Sequence, residues 1–296
     1  MSFQNLIVVG DRINPQGFKN IARMIDEEDI SGLQAIAVKQ VEAGAHYLDL
    51  TVGPRAYKDL AFLKKVVVAI QDAVDVPLCL DYPVKDIVAA CLEVYDAAKC
   101  GGRAPLINSF AETRMEMVEL LDMAPCKVVV MTSEYVDKNG DARRSKRPEE
   151  VVGVARRVFD KLVNECGLTN DDIFIDVTIN SMISDTEGLT KMSLESITGI
   201  RSDPVMKGVH VMGGLTNIGN MVPKIDFDGM SLRMCMENAF LTRAVPLGFD
   251  TVFGTPWNDF RPLPEGHEVL TAFDEVIELT GLDAMRRLRQ IWARKR

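Results

Sequence analysis

The chain has 296 residues, 47% of them hydrophobic and 26% charged, the balance of a globular enzyme that buries a large core without disulfides or structural metal. Its formal net charge of −9 argues against a general nucleic-acid or anionic-membrane binder, because either needs a cationic face. No apolar run is long enough for a membrane span, and the opening MSFQNLIVVGDRIN reads as a first strand rather than a signal peptide, so a cytoplasmic location is expected.

Strand-like runs recur along the chain with amphipathic helical stretches between them. The run at 5–9 (NLIVV) is followed by a helix over 31–44, 46–50 (HYLDL) by 59–74, and 76–81 (VPLCLD) by 84–98. Next come 104–108 (APLIN) with a helix over 111–122, 127–132 (KVVVMT) with 148–166, and 172–176 (DIFID) with 187–201. The last two are 208–213 (GVHVMG) with 230–246, and 249–253 (FDTVF) with 267–280. Most strands are short and apolar without alternation, as parallel strands covered on both faces are. Ser31, Asp59 and Ser231 are the expected helix starts, and Pro148 suits a first helical turn.

Eight strands alternating with eight helices predict an α/β fold of the (β/α)8 TIM-barrel type, here as one domain over 1–296. The competing doubly wound sheet lacks its glycine fingerprint GxGxxG after the first strand. The six cysteines at 79, 91, 100, 126, 166 and 235 show no CxxC pairing and read as reduced thiols.

Four polar residues each close a hydrophobic strand: Asp81, Asn108, Asp176 and Asn217. A barrel carries its active site at the C-terminal ends of the strands, so these four are expected at one mouth, joined by Asp49, Asp11 and Asn14. Carboxylate acceptors together with amide donors and acceptors suit a flat heterocycle bearing several N–H groups. Each residue taken singly is equally a helix cap or a loop anchor.

The segments GDRIN (10–14), AGAHYLDLTVGP (43–54), LCLD (78–81), LINS (106–109), FID (174–176) and GGLTNIGN (213–220) resemble, in order and spacing, those of the pterin-binding methyltransferases. Within that family they look most like the methyltetrahydrofolate:corrinoid protein methyltransferases. The resemblance implies a pterin-binding barrel, usually a homodimer, that moves a methyl group between N5 of tetrahydrofolate and the cobalt of a cobalamin carried by a corrinoid protein. It also implies that Asp81, Asn108 and Asp176 hold the pterin ring, that Asn217 stands at N5, and that Asn14, Gly214, Thr216 and Asn220 line the same mouth. The direction of transfer is open, because the family includes enzymes that methylate tetrahydrofolate from a methylcorrinoid protein. The chain departs from the family pattern at Tyr82-Pro83 after Asp81, at Val177 after Asp176, and at Ile218-Gly219-Asn220 after Asn217.

Three histidines, His46, His210 and His267, form no corrinoid-binding motif, and no Cys/His cluster suggests zinc-thiolate chemistry; the corrinoid is expected on a separate partner. His210 reads as a satisfied barrel residue. The connection 132–148 carries Asn139-Gly140, a tight-turn signal, then Arg143, Arg144, Lys146 and Arg147; a solvated hairpin is the default, with a folate tail or acidic partner as the alternative. The methionines clustered over 182–236 read first as core, the cationic C-terminus as a helix end, and 254–266 as a loop beside the mouth. Two other functions compete on the same barrel: condensation like that of dihydropteroate synthase, disfavoured by Thr51-Val52-Gly53-Pro54-Arg55 after the second strand, and phosphate-substrate chemistry at Gly213-Gly214. A folate-binding protein without turnover is the non-enzymatic alternative.

Overall fold

The computed structural model describes residue 3, residues 5–227 and residues 229–293. Eight parallel strands close a barrel: β1 (Ile7–Ile13), β2 (Tyr47–Leu50), β3 (Leu78–Asp81), β4 (Leu106–Phe110), β5 (Lys127–Met131), β6 (Ile173–Asp176), β7 (His210–Gly214) and β8 (Thr251–Gly254). They pair in sequence order around the ring, and β8 returns to β1 with Ile7 opposite Thr251 and Gly10 opposite Gly254. Every predicted strand is present, and the fold is the TIM barrel expected.

Strand periodicity builds the site. Side chains alternate between the two faces of a strand, so positions two apart share the barrel interior. Val9, Cys79, Leu106, Val129, Phe174 and Met212 form one buried layer inside the barrel, with Ile7, Tyr47 and Phe253 against it. Two residues further along the same strands stand Asp11, Asp81, Asn108, Met131, Asp176 and Gly214. Asp49 follows Tyr47 in the same way. A closed apolar plug is thus capped by a ring that is mostly polar, at the C-terminal end of the barrel.

The outer helices pack their apolar faces on the strands. Asp59 accepts from the Phe62 N–H at 2.9 Å and Ser231 from the Met234 N–H at 3.3 Å, capping the helices Leu60–Ala73 and Leu232–Ala244. Pro148 opens Pro148–Asn164. Several expectations need correction. Asp29, not Ser31, caps Ile30–Glu42, because its carboxylate reaches the Gly32 N–H at 2.9 Å while Ser31 donates its hydroxyl to the same carboxylate. The stretch 84–98 splits, since Lys85–Leu92 ends and the Asp96 side chain starts a separate 3-10 turn, Ala97–Cys100. The stretch 111–122 forms 3-10 turns broken at Arg114. A helix at Lys19–Asp26 was not predicted, and Gly281–Ala293 extends the helix end expected at the C-terminus.

All six cysteines are free, and five are buried. Met182, Met192, Met206, Met212 and Met236 are buried in the core, whereas Met221 is 72% exposed. Among the described residues no helix is long and apolar enough to cross a membrane.

Candidate active site

The polar ring opens into a cavity of about 600 Å³, a size that suits a small-molecule site. Asn14, Asp81, Asn108, Asp176, Gly214, Thr216, Asn217 and Asn220 all line it, with Asp11 and Asp49. Residues far apart in the chain therefore meet in one wall. A second cavity of about 610 Å³ shares Asn14, Gln16, Asp81, Asn108 and Asp176 with the first and extends over Thr51, Tyr82 and Arg114.

Cross-strand pairing sets the first contact. Asp81 and Asn108 stand opposite each other on β3 and β4, and Asn108 Nδ2 donates to Asp81 Oδ1 at 2.9 Å. That bond fixes the amide orientation and leaves the Asn108 carbonyl and one N–H free for a ligand. Asn14 Nδ2 donates to Asp49 Oδ2 at 3.3 Å, while Asp49 Oδ1 is buried without a partner. Asp176 Oδ1 accepts from the Thr178 N–H at 2.7 Å. Asn220 Nδ2 donates to Asn217 Oδ1 at 3.2 Å, and Gly214 lies so close that a Cβ there would stand 2.8 Å from Asn217 Nδ2.

Burial governs the electrostatics. It pushes Asp81 and Asp176 each up to about 6, offset in part by the bonds from Asn108 and Thr178. Asp49 is raised well above the usual carboxylate range by burial and then by the charges of Asp81 and Asp11, against the bond from Asn14. Asp11 is raised by burial, although Thr255 donates to it at 3.1 Å. The cavity thus holds carboxyls that gain from any ligand presenting N–H donors, which restores to each anion the hydrogen bonds that burial removed.

The departures from the family pattern have structural reasons. The Tyr82 hydroxyl, in a 2% exposed side chain, accepts from the Val52 N–H at 2.6 Å and ties the loop after β2 to β3. Val177 and Ile218 are fully buried, and Gly219 admits the Arg233 side chain where a Cβ would stand 2.6 Å from it. In Thr51-Val52-Gly53-Pro54-Arg55 the arginine turns to Glu28, to Asp59 at 3.0 Å and to the Ile25 carbonyl at 2.7 Å, with its guanidinium over Phe62.

The three histidines are engaged elsewhere. His46 Nδ1 accepts from the Val8 N–H at 3.1 Å, and His267 Nδ1 from the Val269 N–H at 3.2 Å. His210 lies between Asp250 and Asp171 at 3.2 and 3.3 Å, stacked on Phe174. The connection after β5 is a hairpin, Glu134–Val136 against Ala142–Arg144. Its cations are largely spent on near carboxylates: Arg143 on Asp137 and Asp141, Lys146 on Glu187, and Arg147 on Glu150. The 254–266 loop is pinned to the helix Leu232–Ala244, where Asn238 donates to the Asp259 carbonyl and accepts from the Arg261 N–H.

Sequence reasoning missed Gln16, Phe18, Thr178, Phe253 and Arg233 in the cavity wall, and the buried Glu237 behind Arg233. Phe253 was legible as the position two before Thr255 on the inward face of β8. Arg233 carried no signal, because it reaches the cavity from the helix after β7.

A family model described as pterin binding enzyme matches residues 10–253. The methylcorrinoid:tetrahydrofolate methyltransferase of Eubacterium limosum is 27% identical over 85% of each chain. The methionine synthase of Mycobacterium tuberculosis is 24% identical over 97% of this chain, and that of Mycobacterium leprae 27% identical over 83%. The chain spans only 26% and 20% of those two proteins. Among solved structures, the dihydropteroate synthase of Clostridium difficile in the presence of pteroic acid superimposes with a TM-score of 0.56 and 15% identity, over 99% of this chain and 97% of that one. The dihydropteroate synthase of Coxiella burnetii in complex with pteroic acid gives 0.54 and 15%, over 94% and 95%. At that identity the likeness shows the barrel fold.

Proposed function

The chain belongs to the pterin binding enzyme family, and on that premise we propose that it moves a methyl group between N5 of tetrahydrofolate and the cobalt of a corrinoid carried by a separate protein. We take the direction as onto tetrahydrofolate, as in the name of the Eubacterium limosum relative, whose length the chain spans by 85%. The observation that carries the reading is the floor of the cavity, where Asp81, Asn108 and Asp176 converge beside Asn217. In this proposal the three floor residues hold the amino and ring nitrogens of the pterin. Asn14, Gly214, Thr216 and Asn220 complete the wall, and the protein works as the homodimer the resemblance implies, which light scattering tests.

Asn217 acts at N5. When the amine lone pair takes the methyl, N5 becomes positive until its proton leaves, and an amide oxygen facing it lowers the energy of that charge. In the reverse direction the amide N–H donates to the departing nitrogen, whose anion is otherwise too basic to leave. An amide serves both roles without titrating. The bond from Asn220 occupies one lone pair of Asn217 Oδ1 and holds the group in place. The methylcorrinoid on its own protein is the second substrate: its cobalt–carbon bond would break as the N5–carbon bond forms, with the electron pair left on cobalt.

The test mixes the protein with tetrahydrofolate and methylcobalamin, then with methyltetrahydrofolate and cob(I)alamin, and follows cobalt absorbance. Asn217→Ala is expected to slow transfer by about 10²-fold or more, the scale of one lost transition-state hydrogen bond, with ring binding retained. Asp81→Ala is expected to weaken ring binding first, because a ring donor loses its acceptor. No spectral change in either mixture for the wild type refutes methyl transfer, and dihydropteroate formation is then the next assay.

A further inference from the structure

Beside the carboxyl-lined cavity lies a smaller one of about 180 Å³ that two arginines share with one carboxyl group, Glu237. It is lined by Arg12, Arg233, Glu237, Trp257, Thr216 and Asn258, among others, and shares Thr216 and Arg233 with the main cavity. The Arg12 guanidinium stands 3.7 Å from the centre of the Phe18 ring and 5.4 Å from that of Trp257. Among the described residues the Arg12 guanidinium makes no hydrogen bond or ion pair, its charged neighbours being Asp11 and Arg233, while its backbone N–H donates to Gln40 Oε1 at 2.9 Å. Arg233 spends Nε on Glu237 at 3.2 Å and one terminal nitrogen on the Thr216 carbonyl at 3.0 Å. Its remaining terminal nitrogen is free to donate. Two guanidinium groups, each with unused N–H donors in a fixed fork, make a carboxylate receptor.

Resting on the function proposed above, we infer that Arg12 and Arg233 read the glutamate carboxylates of the folate tail, so that the substrate is recognised as a bipolar molecule. The pterin presents N–H donors and meets Asp81 and Asp176, while the tail is anionic and meets the arginines. The connectivity of folate agrees with this placement. Its tail starts on the carbon next to N5, by Asn217 in the proposal. A methylene, an amine nitrogen, a benzoyl ring and an amide separate that carbon from the carboxylates, so the tail must run past Thr216 to reach the arginines. Thr216, the neighbour of Asn217, lines both the main cavity and the arginine pocket. The cations of the hairpin after β5, the other candidates for the tail, are mostly held by their own carboxylates.

The experiment measures dissociation constants of the full chain for tetrahydrofolate and for 6-methyltetrahydropterin, which has the ring and no tail. Wild type is expected to prefer tetrahydrofolate by about tenfold or more, the order of one or two charge-assisted hydrogen bonds, and the preference is expected to shrink as salt rises. Arg12→Met, which keeps the packing between Phe18 and Trp257, is expected to remove most of that preference without changing the affinity for 6-methyltetrahydropterin. Arg12→Lys is expected to keep part of it. Equal affinity of wild type for the two ligands overturns the inference and leaves the methyl-transfer reading standing. Equal weakening of both ligands by Arg12→Met also overturns it, and wild type binding neither overturns both. If Arg12→Met does not fold, the wild-type preference and its salt dependence decide.

Discussion

Asp176→Asn should make the ligand-free protein more stable while costing it its ligand. Asp176 ends β6 half-buried in the cavity wall, and desolvation raises its pKa from 3.8 to about 6. Its Oδ1 accepts one backbone N–H, from Thr178. A raised acid is bound to its proton more tightly in the folded chain than in the unfolded one. The stability this contributes is complete below pH 3.8 and is lost as pH rises through about 6. The gap between those values, at about 1.4 kcal/mol per pH unit, makes the ionised residue costly by about 3 kcal/mol at pH 7.5. Asparagine has the same shape, keeps a carbonyl oxygen for the Thr178 N–H, and never ionises. The variant is therefore expected to be about 3 kcal/mol more stable than wild type at pH 7.5, or about 5 °C in Tm for a chain of this size, and equal to it at pH 4. Thermal melts at the two pH values, without ligand, give the comparison. A second set with tetrahydrofolate should show the stabilisation by ligand reduced in the variant, since the amide replaces an anionic acceptor. A stability difference that is the same at both pH values, or absent at both, refutes the reasoning.

Gly214→Ala should fold normally, because Gly214 has an ordinary φ of −71 and its new Cβ meets only the end of the Asn217 side chain. That side chain must move, so methyl transfer is expected to fall by about tenfold or more with little change in Tm; an unchanged rate removes the need for the observed Asn217 position. Affinity for tetrahydrofolate is expected to rise with pH through about 6 and level off above it, because Asp81 and Asp176 lose their protons there and become full acceptors for ring N–H groups. Calorimetric titrations from pH 5 to 8 measure this, and a flat profile contradicts it. Tyr82→Phe leaves the Val52 N–H unpaired and is expected to cost about 1–3 kcal/mol in denaturant melts; no loss at all argues that water replaces the hydroxyl.

The sequence by itself determined the barrel and the membership of the polar ring. Apolar runs too short to be buried helices, spaced by amphipathic stretches, leave few alternatives to parallel strands alternating with helices. A barrel gathers the C-terminal ends of its strands at one mouth, which is why Asp81, Asn108 and Asp176, each closing an apolar run, could be read from their position. The failures at Ser31 and in 84–98 are local. Asp29 competes for the same Gly32 N–H and wins, and the Asp96 carboxylate starts a new turn where the helical pattern continues on paper.

Only the tertiary structure decided how these residues act on one another. Asp81 meets Asn108 because strand register sets Cα partners across β3 and β4, and register depends on the closure of the whole ring. The carboxyl pKa values follow from burial, which no segment carries alone. Arg233 enters from a helix to face Arg12 on a strand, and their pocket exists only because the 254–266 loop, held by Asn238, brings Trp257 against Arg12. Secondary structure and inward-facing positions follow from local pattern, whereas charge state and opposed surfaces follow from which distant groups share a volume without water.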